Sequence, residues 1–332
     1  MKLTNKQNIG LSMAVFLAND DYDYDPRPNS ISATGLLKSV RQTILATRLI
    51  EKVVEMDISQ LVPASVGSAI HDGVEKAWMN KKYKKAMIKL GYPVAMIEKI
   101  RVNPSAEQLK MRPDTIPVYI EQRREREIDG FIIRGKFDFV GDGTLEDHKT
   151  TGVFGYMEGS NNENYRIQGS IYRWLNPDII TSDRMFINYT FTDWSALRAT
   201  IEKKKGYPEF RMMSVPITLM TIEETEKFIR NKIAIVKTNI KKLEADLPLC
   251  TKEELWQKAT TYKYYKNPKL KTRSTKNFTT FAEAQMRVIK DGSVGVVDII
   301  PGQVKRCLYC SAAPICSQAK QLIADGALEI PV

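Results

Sequence analysis

The chain has 332 residues, enough for one large domain or two of moderate size. Lysine and arginine number 50 against 39 aspartate and glutamate, and this net charge of +11 favours a polyanionic partner, either a nucleic acid or an anionic membrane surface. The hydrophobic content of 43% is ordinary for a globular protein, and no apolar run approaches the ~20 residues of a membrane-spanning helix, so a membrane-embedded protein is excluded.

Helices are predicted in the N-terminal part of the chain. From residue 30 to residue 58, apolar side chains recur at helical spacing after a proline-rich entry, and Ser32 or Thr34 could cap this helix. A second helix is predicted over residues 63–80, with His71 beside its apolar face.

The pattern then changes to strands. Residues 118–128, 131–140 and 144–148 are predicted to form three strands. They are joined at residues 129–130 and 141–143 by the Gly and Asp residues that tight hairpin turns prefer. The sequence therefore predicts a β-meander.

Three further elements follow. Residues 162–175 are predicted to form a helix that ends before Asn176-Pro177, because the residue before a proline avoids the helical region. Residues 185–191 alternate as in a strand. A long helix is predicted from the capping box Thr221-x-x-Glu224 to residue 247, where Pro248 stops it.

Two carboxylates in the meander are candidates for a metal site. Asp138 lies near the end of one predicted strand and Asp147 near the end of the next, so the hairpin can bring them to one divalent cation. Lys149 points to the same face as Asp147, because side chains alternate along a strand. Oxygen ligands for Mg²⁺ or Mn²⁺ beside an ammonium group suit the hydrolysis of phosphodiesters.

These residues resemble the motifs of the PD-(D/E)XK nuclease superfamily and, within it, of the RecB-like exonucleases. Asp138 matches the first acidic position, and Asp147-His148-Lys149 matches the D-x-K element. Gly67-Ser-Ala-Ile-His71 resembles the G-x-x-x-H motif of that branch, and Gln168-Gly-Ser-Ile-Tyr172 resembles its Q-x-x-x-Y motif. The four motifs occur in the family's order.

The resemblance implies an α/β fold: a restriction-endonuclease-like core with a mixed central sheet flanked by helices. It implies an N-terminal helical segment over residues 1–60 and a nuclease core over residues 61–215. Residues 216–332 would form a C-terminal region with a long helix, a basic hairpin and a four-cysteine metal centre.

The resemblance also implies roles for individual residues. The implied ligands of Mg²⁺ or Mn²⁺ are His71, Asp138, Asp147 and the backbone carbonyl of His148. Lys149 would position or activate the attacking water, and Gln168 and Tyr172 would orient the substrate strand. Glu121, or failing it Glu125 or Glu127, could be an additional carboxylate ligand, although charged residues on a solvated strand explain these positions equally well.

Three of the four cysteines form a C-x2-C-x5-C pattern. This spacing suits thiolates that converge on one metal better than a disulfide framework, and it indicates a reducing compartment. Cys307, Cys310 and Cys316 resemble the C-terminal triplet of iron–sulfur RecB-like nucleases. Those relatives place the fourth cysteine upstream of the nuclease motifs, whereas the candidate here, Cys250, follows them. A 4Fe–4S cluster, a structural Zn²⁺ and four buried cysteines without a metal remain alternatives.

A basic stretch lies between Cys250 and the triplet. Residues 258–276 contain seven basic residues and no acidic one, with Tyr262, Tyr264 and Tyr265 interleaved. A turn at Asn267-Pro268 predicts a basic hairpin. Lysines neutralise phosphates and tyrosines stack on bases, so the stretch is either a DNA-binding flap or a solvated hairpin. The candidate DNA contacts are Lys263, Lys266, Lys269, Lys271 and Arg273.

Together these features predict a metal-dependent DNA nuclease, an exonuclease of recombination or repair. The alternatives are a structure-specific endonuclease and a non-catalytic nucleic-acid-binding module on a nuclease fold. Resemblance to phage recombination exonucleases implies a single-strand annealing protein as partner. The apolar stretch at residues 9–18 lacks a cleavage pattern, so we expect a cytoplasmic protein with no membrane partner, in the host cytoplasm if the protein is phage-encoded. The oligomeric state is left open.

Overall fold

The computed structural model describes residues 2–19, 25–49, 55–159 and 161–329, and the chain divides into two compact units. Unit 1 comprises Met1–Leu37 and Glu51–Ile233, and unit 2 comprises Lys38–Ile50 and Ala234–Val332. The three-part division predicted from the sequence stays a prediction. Over the described ranges, no helix is both long and apolar enough to cross a membrane.

The elements are numbered in chain order. The strands are β1 (Lys2–Thr4), β2 (Ser30–Ser32), β3 (Glu55–Asp57), β4 (Ile100–Val102), β5 (Ile116–Ile128), β6 (Phe131–Gly141), β7 (Thr144–Thr151), β8 (Arg184–Phe191), β9 (Met212–Thr218), β10 (Thr261–Tyr265), β11 (Lys276–Phe278) and β12 (Val296–Ile300). The helices are α1 (Leu11–Ala18), α2 (Ala33–Leu36), α3 (Val40–Thr47), α4 (Val62–Met79), α5 (Tyr83–Lys89), α6 (Val94–Ile97), α7 (Ala106–Met111), α8 (Val153–Glu158), α9 (Asn162–Leu175), α10 (Ala196–Ile201), α11 (Ile222–Asn239), α12 (Phe281–Lys290) and α13 (Ser317–Ala324).

Unit 1 is built on a mixed sheet. Its strands lie in the order β4-β5-β6-β7-β8-β9, and β2 pairs with β6 off this path. The predicted meander β5-β6-β7 is antiparallel, whereas β7 and β8 are parallel because α8 and α9 form the crossover between them. The predicted mixed sheet flanked by helices is confirmed. Its assignment to the restriction-endonuclease-like fold stays a prediction.

Two glycines allow α9 to approach the sheet closely. A Cβ atom at Gly135 of β6 would lie 2.9 Å from the Tyr172 ring, and a Cβ atom at Gly169 of α9 would lie 2.1 Å from the Met185 sulfur of β8. Larger residues at either position would push the helix and the sheet apart. Gln168 is the neighbour of Gly169 on α9, so this close packing also determines how near Gln168 lies to the sheet.

The prediction of a single helix over residues 30–58 is wrong. The described part of this segment contains β2, α2, α3 and β3, and residues 50–54 lie outside the described ranges. Two serine caps explain the breaks. The Ser32 hydroxyl accepts a hydrogen bond from the Gly35 N–H and starts α2, and the Ser39 hydroxyl accepts one from the Gln42 N–H and starts α3.

The helix predicted over residues 221–247 begins as expected but ends early. Thr221 and Glu224 form the predicted capping box through reciprocal bonds of 3.1 and 2.9 Å. The helix ends at Asn239, well before residue 247. Beyond this end, the Arg48 guanidinium binds two backbone carbonyls, and a side chain that satisfies such carbonyls lets a helix stop.

Unit 2 has its own sheet and core. The antiparallel sheet has the order β11-β10-β12. The buried apolar cluster contains Ile44, Leu45, Leu247, Leu255, Val304, Ala312, Cys316, Ala319 and Leu328. Cys250, Cys307 and Cys310 are partly buried and pack against this cluster, so all four cysteines lie at one core.

Candidate metal site and thiol cluster

Three potential metal ligands meet in unit 1. Among the described residues, His71 of α4, Glu121 of β5 and Asp138 of β6 form the one group whose ligand atoms all lie within 4.8 Å of one another. His71 Nδ1 lies 3.4 Å from Asp138 Oδ1. All three residues are half-buried, and carboxylates joined by an imidazole can hold a divalent ion.

Glu121 reaches this group through an unusual backbone conformation. The pairs Ile120–Phe139 and Gln122–Phe137 on either side place Glu121 opposite Asp138 in the β5–β6 ladder. Its φ of 52° lies in the left-handed region, which non-glycine residues rarely adopt within a strand. Its carboxylate also forms an ion pair with Lys136 of β6.

Asp138 is held by His71 and by the backbone of His148. Its Oδ2 accepts a hydrogen bond of 2.9 Å from the His148 backbone N–H. Burial opposes its ionisation, but the hydrogen bond from His71 and nearby positive charges outweigh burial and lower the pKa of Asp138. The same hydrogen bond raises the pKa of His71.

Asp147 and Lys149 form an ion pair beside this group. Asp147 Oδ2 lies 2.6 Å from Lys149 Nζ, and the carboxylate is almost fully buried. Burial raises the pKa of Asp147, and the Asp138 carboxylate adds to the effect. Burial lowers the pKa of Lys149, but the attraction of the Asp147 carboxylate is larger than the effect of burial and raises this pKa overall. Lys149 is therefore a fixed cation.

The Q-x-x-x-Y motif reaches Lys149 through Gln168. Gln168 Oε1 lies 3.5 Å from Lys149 Nζ, and Gln168 Nε2 donates to the Tyr172 hydroxyl at 2.8 Å. Gln168 and Tyr172 are only 8% and 6% exposed. Their predicted role toward a substrate strand stays a prediction, and the contacts observed run to the lysine.

The structure thus brings the predicted residues of unit 1 together, but in two subsets. Asp147 pairs with Lys149 and lies outside the three-ligand group, while Glu121 belongs to it. The His148 ring lies edge-on to the His71 ring at 5.7 Å, and the predicted ligand role of its backbone carbonyl stays a prediction.

Sequence reasoning missed one residue of this site. Lys149 Nζ lies 5.2 Å above the centre of the Tyr165 ring, a cation–π contact. Tyr165 precedes Gln168 by three residues on α9, so helical spacing places the two side chains on one face. This spacing is the pattern that could have identified it.

Comparisons with known proteins give little guidance. No family model and no curated protein matches the chain. Among solved structures that match, SSO0001 has a TM-score of 0.38 and 17% identity, over 64% of this chain and 79% of its own. A phage-related exonuclease from Haemophilus somnus 129PT has a TM-score of 0.28 and 16% identity, over 63% and 92%. Both TM-scores are low, and the function of this chain is therefore inferred from the geometry of its site.

The four cysteines of unit 2 line one cavity of about 30 Å³. Ser39, Arg41 and Gln42 of the α3 region are among the other residues that line it. Burial raises the pKa of Cys307 to about 11, and the other three cysteines contribute to this rise. Burial also raises the pKa of Cys250, although a contact with the Ser39 hydroxyl opposes it.

The predicted basic hairpin is present as β10 and β11, joined by residues 266–275. Lys266, Lys269 and Arg273 are exposed in this loop, and Asn267 forms the turn by accepting the Lys269 N–H at 3.0 Å. Lys271 is exposed too, but its ammonium forms an ion pair of 2.7 Å with Asp298.

The tyrosines of the hairpin are placed differently from the prediction. Tyr264 and Tyr265 are 0% and 7% exposed, so neither ring is available to stack on a base. Tyr264 is held inside by its hydroxyl, which donates to Asp291 at 2.9 Å. Tyr262 packs against Phe281 of α12. The hairpin therefore offers positive charge rather than aromatic stacking.

Proposed function

We propose that this chain is a DNA nuclease that depends on Mg²⁺ or Mn²⁺ and hydrolyses phosphodiester bonds. The observation that supports it best is the convergence of His71, Glu121 and Asp138 from three separate elements, with the Asp147–Lys149 pair beside them. A group of ligands and a cation built from distant parts of a chain indicates a site selected as a unit.

The ligand set fits a divalent ion. Two carboxylates that face each other repel, and a shared divalent ion would reduce this repulsion beyond what Lys136 and His71 already do. The remaining oxygen of Asp138 is already occupied by the His148 N–H. A bound ion would polarise the phosphodiester and lower the pKa of a coordinated water.

The chain's own residues supply the other requirements. Lys149 would place a positive charge where negative charge develops on the phosphate. Asp147, Gln168 and Tyr165 keep this ammonium charged and oriented, because each contacts it directly. Tyr172 in turn orients Gln168.

We further propose that the nuclease is an exonuclease of recombination or repair, with a structure-specific endonuclease as the second candidate. The motif resemblance supports the exonuclease. The test is to incubate the protein and Mn²⁺ with end-labelled linear DNA and, separately, with covalently closed circular DNA. An exonuclease degrades only the linear substrate, and cleavage of the closed circle would establish the endonuclease.

We propose that the cysteines of unit 2 hold a 4Fe–4S cluster, with structural Zn²⁺ as the alternative. All four line one cavity, and four thiolates suit either centre. The resemblance of the Cys307, Cys310 and Cys316 spacing to that of iron–sulfur RecB-like nucleases supports the cluster. Iron, zinc and sulfide analysis of anaerobically purified protein tests it, and a metal-free result would contradict both.

The basic hairpin is the proposed DNA-binding element. Exposed Lys266, Lys269 and Arg273 are free to approach phosphates, while the buried tyrosines exclude stacking by Tyr264 and Tyr265. Lys263 and Lys271 also remain candidates, but Lys271 would first have to leave Asp298. A single-strand annealing partner and a cytoplasmic location stay predictions.

A further inference from the structure

Arg41 is a buried cation at the thiol cluster. The residue is 1% exposed, and its Nε donates to Cys316 Sγ at 3.1 Å. Its other nitrogens donate to the Leu247 carbonyl at 3.1 Å and the Ser317 hydroxyl at 2.9 Å, and it pairs with Glu244. A buried guanidinium is unfavourable unless it is paired and fully bonded, and here every contact also fixes its direction toward the sulfur.

A second polar group faces another sulfur of the same cavity. The Ser39 hydroxyl lies 3.2 Å from Cys250 Sγ and caps α3, so the positive end of this helix faces the cysteines. Gln318 fixes Cys250 further, because its side chain binds the backbone N–H and carbonyl of Cys250 at 2.8 and 2.9 Å. Side chains of the α3 region thus contact two of the four sulfurs, Ser39 that of Cys250 and Arg41 that of Cys316.

We propose that Arg41 is a positioning residue for the four-cysteine centre. It fixes the Cys316 sulfur and offsets the negative charge that four thiolates bring to one buried cavity. This inference rests on the proposed centre. Hydrogen bonds and charges near ligating sulfurs stabilise metal centres and set the reduction potentials of iron–sulfur clusters. Loss of Arg41 therefore weakens metal retention and makes a cluster harder to reduce.

The test compares metal release from variants of the full chain. Arg41→Gln combined with Glu244→Gln removes both charges of the buried pair, so no carboxylate is left unpaired. We expect this variant to release its metal to a chelator about 10- to 100-fold faster than the wild type. If the metal is iron, its midpoint potential should also be lower. Arg48→Gln is the matched control. Arg48 lies directly after α3, in the same segment as Arg41, but its guanidinium donates to backbone carbonyls instead of a sulfur.

A second pair of variants separates charge from folding. Ser39→Asp keeps a helix-capping side chain but places a carboxylate beside Cys250, so we expect faster metal release. Ser39→Asn keeps the cap without the charge and should release metal at the wild-type rate.

The outcomes distinguish failure of the proposed centre from failure of the role of Arg41. If the wild type binds neither iron nor zinc, the proposed centre and the role of Arg41 both fail. If the wild type holds metal and the Arg41 and Ser39→Asp variants release it at the wild-type rate, only the role of Arg41 is overturned. Equal acceleration in the Arg48→Gln control would show a general loss of structure and would likewise overturn it.

Discussion

Glu121 adopts a backbone conformation that its residue type disfavours. Its φ of 52° places it in the left-handed region, within a strand and opposite a second carboxylate, Asp138. Strain and like charge are both unfavourable in the metal-free protein, and a shared cation would relieve the repulsion. The position of Glu121 opposite Asp138 supports it as a ligand.

Two substitutions at Glu121 should therefore separate binding from stability. Glu121→Gln and Glu121→Gly both remove the carboxylate, so we expect both to weaken Mn²⁺ binding in calorimetry. The glycine variant tolerates a positive φ, and we expect it to be more stable to denaturant than the glutamine variant by about 1 kcal/mol. Equal stability of the two variants would show that Glu121 is unstrained.

His71 should titrate above the ordinary histidine pKa in the metal-free protein. Its pKa is raised by the Asp138 hydrogen bond, so it gains a stabilising interaction that is complete below the ordinary histidine pKa and is lost as the pH rises through the raised value. The chain has only these two histidines, which makes their NMR titration simple to assign. Asp138→Asn should return the His71 pKa toward its ordinary range, and an unchanged pKa would contradict the contact.

At the scale of elements, the regular parts of unit 1 could be predicted from the sequence. The turns at residues 129–130 and 141–143 mark the end of β5, both ends of β6 and the start of β7, and the proline after Asn176 marks the end of α9. The outer ends of β5 and β7, which follow no turn, lie two and three residues beyond the prediction. Asp138 and Asp147 can be identified from the sequence because both lie on this well-marked meander. The role of Glu121 cannot, since no sequence pattern indicates a left-handed residue inside a strand.

Other elements could not be predicted because contacts distant in sequence decide them. Helical periodicity continued through residues 30–58, but the Ser32 and Ser39 caps restart the chain there and β2 pairs with β6. The early end of α11 accompanies contacts from Arg48, which lies far away in the sequence. Arg41 carried no motif, and only its burial beside Cys316 reveals it.

The hairpin of β10 and β11 should contribute to DNA affinity through charge alone. Lys266→Gln, Lys269→Gln and Arg273→Gln combined remove three exposed charges. We expect the slope of log K against log salt for single-stranded DNA to become shallower by about 2, because each lost phosphate contact contributes about 0.7. Lys203→Gln, Lys204→Gln and Lys205→Gln remove the same charge from unit 1. If that control changes the slope equally, net charge rather than the hairpin is responsible.

For the whole molecule, the two proposed centres lie in different units and differ in ligand chemistry. The carboxylate and imidazole group of unit 1 suits an exchangeable ion, while four clustered thiolates suit a retained one. We expect brief EDTA treatment to abolish DNA cleavage, and added Mn²⁺ to restore it, while the iron or zinc content stays constant. Parallel loss of cleavage and of the cysteine-bound metal would show that the two centres are not separable.

The net charge of +11 also gains a more specific meaning. It first indicated only a polyanionic partner, and three of the basic residues, Lys266, Lys269 and Arg273, are now placed on one exposed loop of unit 2. Lys149, by contrast, is buried and paired, so it serves the site rather than the surface field.

The central claim is that Asp138 belongs to a metal-dependent nuclease site, and degradation of end-labelled linear DNA tests it most directly. The wild type, Asp138→Asn and the exposed turn variant Asp142→Asn are compared with Mn²⁺, with Mg²⁺ and with EDTA. We predict that the wild type and Asp142→Asn degrade DNA only with metal, and that Asp138→Asn is slower by about a hundredfold or more. A wild type without activity under every condition, or an Asp138→Asn variant as active as the wild type, would contradict the claim.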